Sequence, residues 1–391
     1  MKRQISRIGD FIRKEKGIVL ILLAYLILAV AYGVVVPIFE APDEPQHFMF
    51  VKYLADGKGL PVQGKGTTST WAQEGSQPPL YYALSALLVS GLDTSDLEQL
   101  LWRNPHANMG VPLSEGNKNA YVHTDRERFP YCGTTLAVHL VRLLSTLMGA
   151  GTVLATYSIM RLVFPGEPAM ALGAAALNAF TPQFLFISAA VNNDNLVILL
   201  SSWTLWVLLR LQLRPLTWRA GLGLGFLLGA ASLSKLSGLG LGVLAALALV
   251  LRCWRERGQR KSAIRNPQSA ISVALASIVA LAVAGWWYVR NLILYGDPTG
   301  LNAMLDAVGR RKVAPGIAGL LSEAEGLRIS YWAVFGWLNI LSWPILYKLL
   351  DFLLLAAGAG LVLWLFRRCR TKEEGIALPW AVLAGAWTAI I

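Results

Sequence analysis

The chain has 391 residues, of which 55% are hydrophobic and only 15% charged, and its mean hydropathy is +0.50. That balance excludes a soluble globular protein, which needs far more polar surface to cover its core, and leaves a polytopic membrane protein. The net charge of +12 does not mark a nucleic-acid binder. The basic residues sit in short blocks between apolar runs: six Lys/Arg in 1–17, three in 210–219, six in 252–265 and four in 367–372, whereas 40–136 holds seven against eleven Asp/Glu.

The first apolar run, 18–38, is too long for a signal-peptide core, lacks a small-residue cleavage site and reads as a retained anchor. Further runs near 137–163, 168–188, 194–211, 219–234, 237–251, 270–289, 343–366 and 376–391 give about nine spans in one all-α membrane domain, 1–391. Placing the N-terminus in the cytoplasm puts every basic block on that side by the positive-inside rule. Large outer loops then fall at 39–136 and 289–342. The last run stops at Ile391 without flanking polar residues, so further chain is expected beyond it. Of the three cysteines, Cys132 has no partner on its predicted side, so no disulfide framework is expected.

Directly after the first run comes "FEAPDEPQHFMFVKYLADG". Pro45 suits a first helical turn, and Phe48, Val51, Lys52 and Ala55 continue at helical spacing. Asp43 and Glu44 are either acidic caps on a juxtamembrane helix or ionisable groups serving a site at the membrane boundary. In "QEGSQPPLYYAL", Gln77 precedes a rigid Pro-Pro. Tyr81 and Tyr82 read either as headgroup-level anchors or as substrate contacts, on a short interfacial helix at 80–92. A polar knot, Asn192, Asn193, Asp194 and Asn195, separates two spans and is equally suited to capping a helix or binding sugar hydroxyls. Lys235 splits a long apolar stretch at an outer turn. In "GWWYVRNLILYGDP", Arg290 follows an aromatic belt and can either snorkel or hold a phosphate. The glycine strings at 221–230 and 238–243 lack a preceding strand and a G-K-[ST], so they indicate close helix packing. His47, four residues after Asp43, invites a metal proposal, but the chain has only four His and no HExxH. No metal or other cofactor is assigned, although a divalent cation is left open.

Taken in order, "APDEPQHF…YLADGKGLPV", "QPPLYY", "NND" and "GWWYVRNLILYGDP" resemble the polytopic glycosyltransferases of the GT-C fold. The likeness is greatest to the bacterial DUF2142 group and more distant to protein O-mannosyltransferases and lipid A aminoarabinose transferases. The resemblance implies transfer of a sugar, with inversion, from a polyprenyl-phosphate donor to a glycan, lipid or protein acceptor on the outer face of a bacterial-type plasma membrane, in cell-envelope assembly. It implies Asp43 as general base and Glu44 as its helper, with Arg290 and Lys235 as candidate cations on the leaving phosphate. His47, Gln77, Tyr81, Tyr82, Asn193 and Asp194 are expected to contact substrate. Gln77 departs from the Lys that aminoarabinose transferases carry before their Pro-Pro. The alternative is a non-catalytic GT-C-fold protein that binds lipid-linked saccharide. A transporter fits less well, because the polar residues gather at one face and no repeat relates the halves.

Overall fold

The computed structural model describes residues 15–64, 69–112, 115–256, 267–310, 313 and 316–370. It is built almost entirely of helices. The first, α1 (Lys16–Val35), is apolar around its whole circumference and stops ahead of Pro37, whose ring disfavours helical geometry in the residue before it. The helix α2 (Glu44–Ala55) follows after an eight-residue turn. A 3-10 turn (Thr70–Gln73) leads to α3 (Leu80–Val89) and α4 (Leu97–Leu100). Then come the long α5 (Gly133–Val163), α6 (Pro168–Phe180), α7 (Pro182–Ser188) and α8 (Asp194–Leu211). Next are α9 (Trp218–Ser232), a 3-10 turn (Leu236–Leu239), α10 (Gly240–Glu256) and α11 (Pro267–Tyr295). The last elements are α12 (Leu301–Val308), α13 (Ile317–Trp332), a two-residue hairpin of β1 (Val334–Phe335) and β2 (Ile340–Leu341), and α14 (Pro344–Arg370).

Among the described residues six helices are long and apolar enough to cross a membrane, or seven if a bent pair counts as one. The nine expected spans are therefore not all found. The run 168–188 is broken into α6 and α7, which meet at 62°. Pro182 is the cause, since it has no N–H to donate and its ring collides with the preceding turn. The run 219–234 yields only the 15 residues of α9, about 22 Å at 1.5 Å per residue, short of a full crossing. The run 376–391 lies outside the described residues.

The first glycine string packs closely as expected, whereas in the second a methyl group at Gly242 would meet nothing within 4 Å. A methyl group at Gly221 would strike the backbone of Ser272, and one at Gly225 the backbone of Ala276. One at Gly229 would come within 2.7 Å of Val283 Cβ. This stripe at four-residue spacing lets α9 lie directly on α11, the close approach that small residues permit in lipid.

Glu44 and Arg142 form the junction on which the site depends. Their side chains are 0% and 3% exposed. The guanidinium grips the carboxylate with two bonds, Nε to Oε1 at 2.8 Å and Nη2 to Oε2 at 2.6 Å. Arg142 also donates to the carbonyls of Gly33, Val36 and Pro37, at 2.7–2.9 Å. Glu44 accepts from the backbone N–H groups of Phe39 and Val191, at 2.8 and 2.9 Å. One ion pair thus ties together the end of α1, the turn before α2, α5 and the segment before α8.

The polar stretch 93–136 is in part docked. Leu97, Leu100, Ala120 and Tyr121 are buried in the core. Glu40 accepts from the N–H groups of Ala120 and Tyr121 at 2.8 and 2.9 Å and pairs with His123 Nε2 at 2.9 Å. His123 Nδ1 meets Glu127 at 2.8 Å on its other side. The β1–β2 hairpin closes over this region through Trp337 Nε1, which donates to Phe39 O at 3.0 Å.

Candidate functional site

Asp43 occupies the N-cap of α2 with φ +59 and ψ 3, the left-handed region, and its side chain makes no capping hydrogen bond. An N-cap normally takes an extended conformation that brings its oxygen over the first turn. Asp tolerates the left-handed region better than most residues, yet such a residue still costs about 1–3 kcal/mol, and such outliers concentrate at functional positions. The turn leaves the carboxylate free of the helix end, and Oδ1 accepts from Gln73 Nε2 at 3.0 Å. The acidic-cap alternative is therefore not the one adopted by Asp43.

One turn further along α2, His47 Nδ1 lies 2.8 Å from the Tyr82 hydroxyl, which donates to Glu74 Oε2 at 3.4 Å. Burial, reinforced by the charge of Glu74, raises the Tyr82 phenol well above its ordinary pKa. It therefore remains protonated. The contact between His47 Nδ1 and the Tyr82 hydroxyl fixes the imidazole ring, the donor being set by its tautomer.

The second wall comes from the start of α8. Asn192 Oδ1 accepts from Asp194 N at 2.8 Å, and Asn192 N donates to the Tyr81 hydroxyl at 3.0 Å. Asn193 Nδ2 reaches Ser234 O at 3.3 Å, while Asn195 Nδ2 turns back to Ile187 O at 3.0 Å. The third wall is the turn after α9. Leu80 N donates to Leu233 O at 2.9 Å, which pins the Pro-Pro segment beside Lys235. Lys235 Nζ and Asp194 Oδ1 are 2.5 Å apart in a pair about one third exposed.

These walls enclose a cavity of about 370 Å³ lined by Asp43, His47, Gln73, Glu74, Gln77, Asn192, Asn193, Asp194 and Lys235, with Met304 and Val308 of α12 closing one side. Seven residues singled out from the sequence meet here: Asp43, His47, Gln77, Asn192, Asn193, Asp194 and Lys235. Gln77 Oε1 is a buried acceptor without a protein partner, which suits a donor arriving with a ligand.

The other candidates lie elsewhere. Glu44 is wholly occupied by Arg142 and two backbone amides. Tyr81 and Tyr82 are fully buried rather than at a headgroup surface. Tyr81 supports Asn192 from behind through its hydroxyl, which also meets Ser145 Oγ at 2.8 Å. Arg290 is outside the cavity lining: it lies over the Trp287 ring at 4.8 Å and donates to Pro61 O at 2.8 Å and Leu60 O at 3.4 Å.

Gln73 and Glu74 complete the cavity, although neither carries a motif that singles it out. The signal was available, since Glu74 sits in the same polar run as Gln77, just ahead of a Pro-Pro that turns the chain into the bundle. Among the described residues no group of three or more His, Cys, Asp or Glu could hold a metal ion.

The cavity therefore presents three carboxylates and several amides against a single lysine, a donor and acceptor set suited to hydroxyl groups with one anionic group at the lysine end. Residues 137–287 match the family model described as dolichyl-phosphate-mannose-protein mannosyltransferase. The matched segment runs from α5 into α11 and contains Asp194 and Lys235, while Asp43 and Glu74 precede it. A chain of the S. cerevisiae protein O-mannosyltransferase Pmt1-Pmt2 complex bound to the sugar donor is structurally similar, with a TM-score of 0.46 and 18% identity. The similarity covers 71% of this chain and 34% of that one, so the chain spans about a third of that protein. No curated protein matches the sequence.

Proposed function

We propose that the chain is a GT-C-type membrane glycosyltransferase that moves a sugar from a polyprenyl-phosphate donor to a hydroxyl acceptor, and that the Asp43 cavity is its active site. The observation carrying this reading is the cavity itself. It joins a carboxylate in the left-handed region, a lysine–aspartate pair and a ring of amides at one end of the helix bundle. The mannosyltransferase family match over 137–287 supports the reaction class, and the sequence resemblance supplies the expectation for the donor.

In the proposed reaction Asp43 takes the proton of the acceptor hydroxyl as its oxygen attacks the anomeric carbon. The bond from that carbon to the phosphate oxygen breaks, and polyprenyl phosphate leaves with the bonding pair. Gln73 holds Asp43 Oδ1 and leaves the second oxygen as the base. Lys235 faces the developing charge of the leaving phosphate. An ammonium has three donors, so the bond to Asp194 leaves two for the phosphate. Lys235 is favoured over Arg290 because it lines the cavity, whereas Arg290 lies outside the lining, over the Trp287 ring and bonded to Leu60 O, Pro61 O and Asn291 Oδ1.

The test is transfer by membranes supplied with a polyprenyl-phospho-sugar. Asp43→Asn keeps the shape and the tolerance of the left-handed region but removes the base. It is expected to lower the rate by about 10²–10⁴-fold while leaving expression unchanged. Transfer at the wild-type rate would overturn the assignment.

A further inference from the structure

A second cavity lies at the far end of the same helix pair. The 18 residues of α8 span about 27 Å at 1.5 Å per residue. That length separates Asp194 from the groove between the last turn of α8 and the first of α9. The groove has a volume of about 470 Å³. Leu211, Leu224 and Leu227 form apolar wall, and Arg210, Arg214 and Arg219 stand on its rim. All three arginines are exposed. Among the described residues none of them pairs with a carboxylate, and none has another polar side-chain partner.

The aromatic neighbours orient these charges without neutralising them. The Arg210 guanidinium lies over the Trp206 ring at 5.0 Å, and that of Arg219 over the Trp218 ring at 5.1 Å. Contact with a ring uses the face of the guanidinium, so the N–H donors in its plane stay available. The sequence 210–219 contains no acidic residue. Three uncompensated cations over an apolar groove at the end of a membrane hairpin match the two parts of one ligand: a phosphate headgroup and the first segment of an acyl chain. A free phosphate would leave the apolar wall unused, and a zwitterionic lipid would bring its own cation to the arginines.

We propose that this groove holds an anionic phospholipid of the leaflet opposite the candidate active site, its phosphate on Arg210, Arg214 and Arg219 and its chain against Leu224 and Leu227. The bound lipid joins the near ends of α8 and α9, whose far ends present Asp194 and Lys235. The proposal stands independently of the glycosyltransferase reading.

Native mass spectrometry of the full-length protein in neutral detergent tests it, with phosphatidylglycerol, phosphatidylcholine and inorganic phosphate as probes. Phosphatidylglycerol is expected to bind at least about tenfold more tightly than phosphatidylcholine. The triple variant Arg210→Gln/Arg214→Gln/Arg219→Gln should lose that preference. Arg219→Gln alone changes one exposed side chain and so keeps the fold; it should weaken phosphatidylglycerol by about two- to fivefold. Lys58→Gln, which removes a charge from a distant surface, should leave binding unchanged. Equal binding of the two lipids would overturn the proposal, as would unchanged binding in the arginine variants or an equal loss in Lys58→Gln. Displacement of the lipid by inorganic phosphate at equal concentration would reduce the groove to a simple anion site and overturn it as well.

Discussion

Asp43 and Glu44 are neighbours in sequence and of the same charge, yet they belong to opposite kinds of environment. Glu44 is fully buried, gripped by both edges of Arg142 and supplied with two backbone amides. Asp43 has turned away through a left-handed backbone angle, has a single side-chain donor in Gln73 and faces a cavity. The saturated carboxylate is architecture, and the under-coordinated one is available for chemistry. What separates them is the count of partners rather than depth alone.

Removing charge from the junction is expected to have the largest effect on the fold. Arg142→Gln leaves Glu44 buried without its counter-ion, which costs about 3–5 kcal/mol. Thermal unfolding in detergent should show a lower transition or no folded protein. Stability close to wild type would mean that the two neighbours do not differ as described. Asp43→Asn should show the reverse pattern, an unchanged unfolding transition with transfer lost. Lys235→Gln is expected to slow transfer less, by about 10²-fold, again with little change in stability. Arg290→Gln should alter transfer least of the charged positions, since its donors hold residues 60 and 61; an effect equal to that of Lys235→Gln would return the phosphate to Arg290.

A smaller effect concerns pH. Burial by itself would lower the pKa of His123, but its hydrogen bonds to the carboxylates of Glu127 and Glu40, together with their charges, outweigh it and raise the value from 6.5 to about 9. A raised histidine pKa stabilises the folded state fully below the unfolded value of 6.5, and the contribution disappears as pH climbs through 9. Wild-type protein should therefore lose more thermal stability between pH 7 and 10 than His123→Gln does. Identical pH dependence in the two would show that the Glu40–His123–Glu127 bridge does not tie down the loop.

Much of the site was legible from the sequence because polar residues at the ends of apolar runs have few places to go. The Asp-Glu turn, the Asn-Asn-Asp knot and Lys235 all fall at one end of the bundle, and all of these residues except Glu44 share a cavity. Arg142 was invisible to that reasoning, since the apolar run around it reads as a span. A lone arginine within a span is nonetheless expensive without a partner, and Glu44 was the unpaired carboxylate available. Tyr81 and Tyr82 were misplaced for a different reason: composition locates aromatics at an interface but does not say whether a third helix covers them, as α5 does through Ser145. Pro182 was visible, and its cost to the helix preceding it was not weighed.

The backbone angle at Asp43 also sets a limit on what can stand there. Only Asn and Gly share the ease of Asp in the left-handed region, so saturation mutagenesis read out by folding alone should recover a three-letter alphabet at this position. Read out by sugar transfer, the same library should collapse to one letter, with not even Glu admitted, since the longer acid carries its carboxylate past Gln73 and from a backbone that resists the turn.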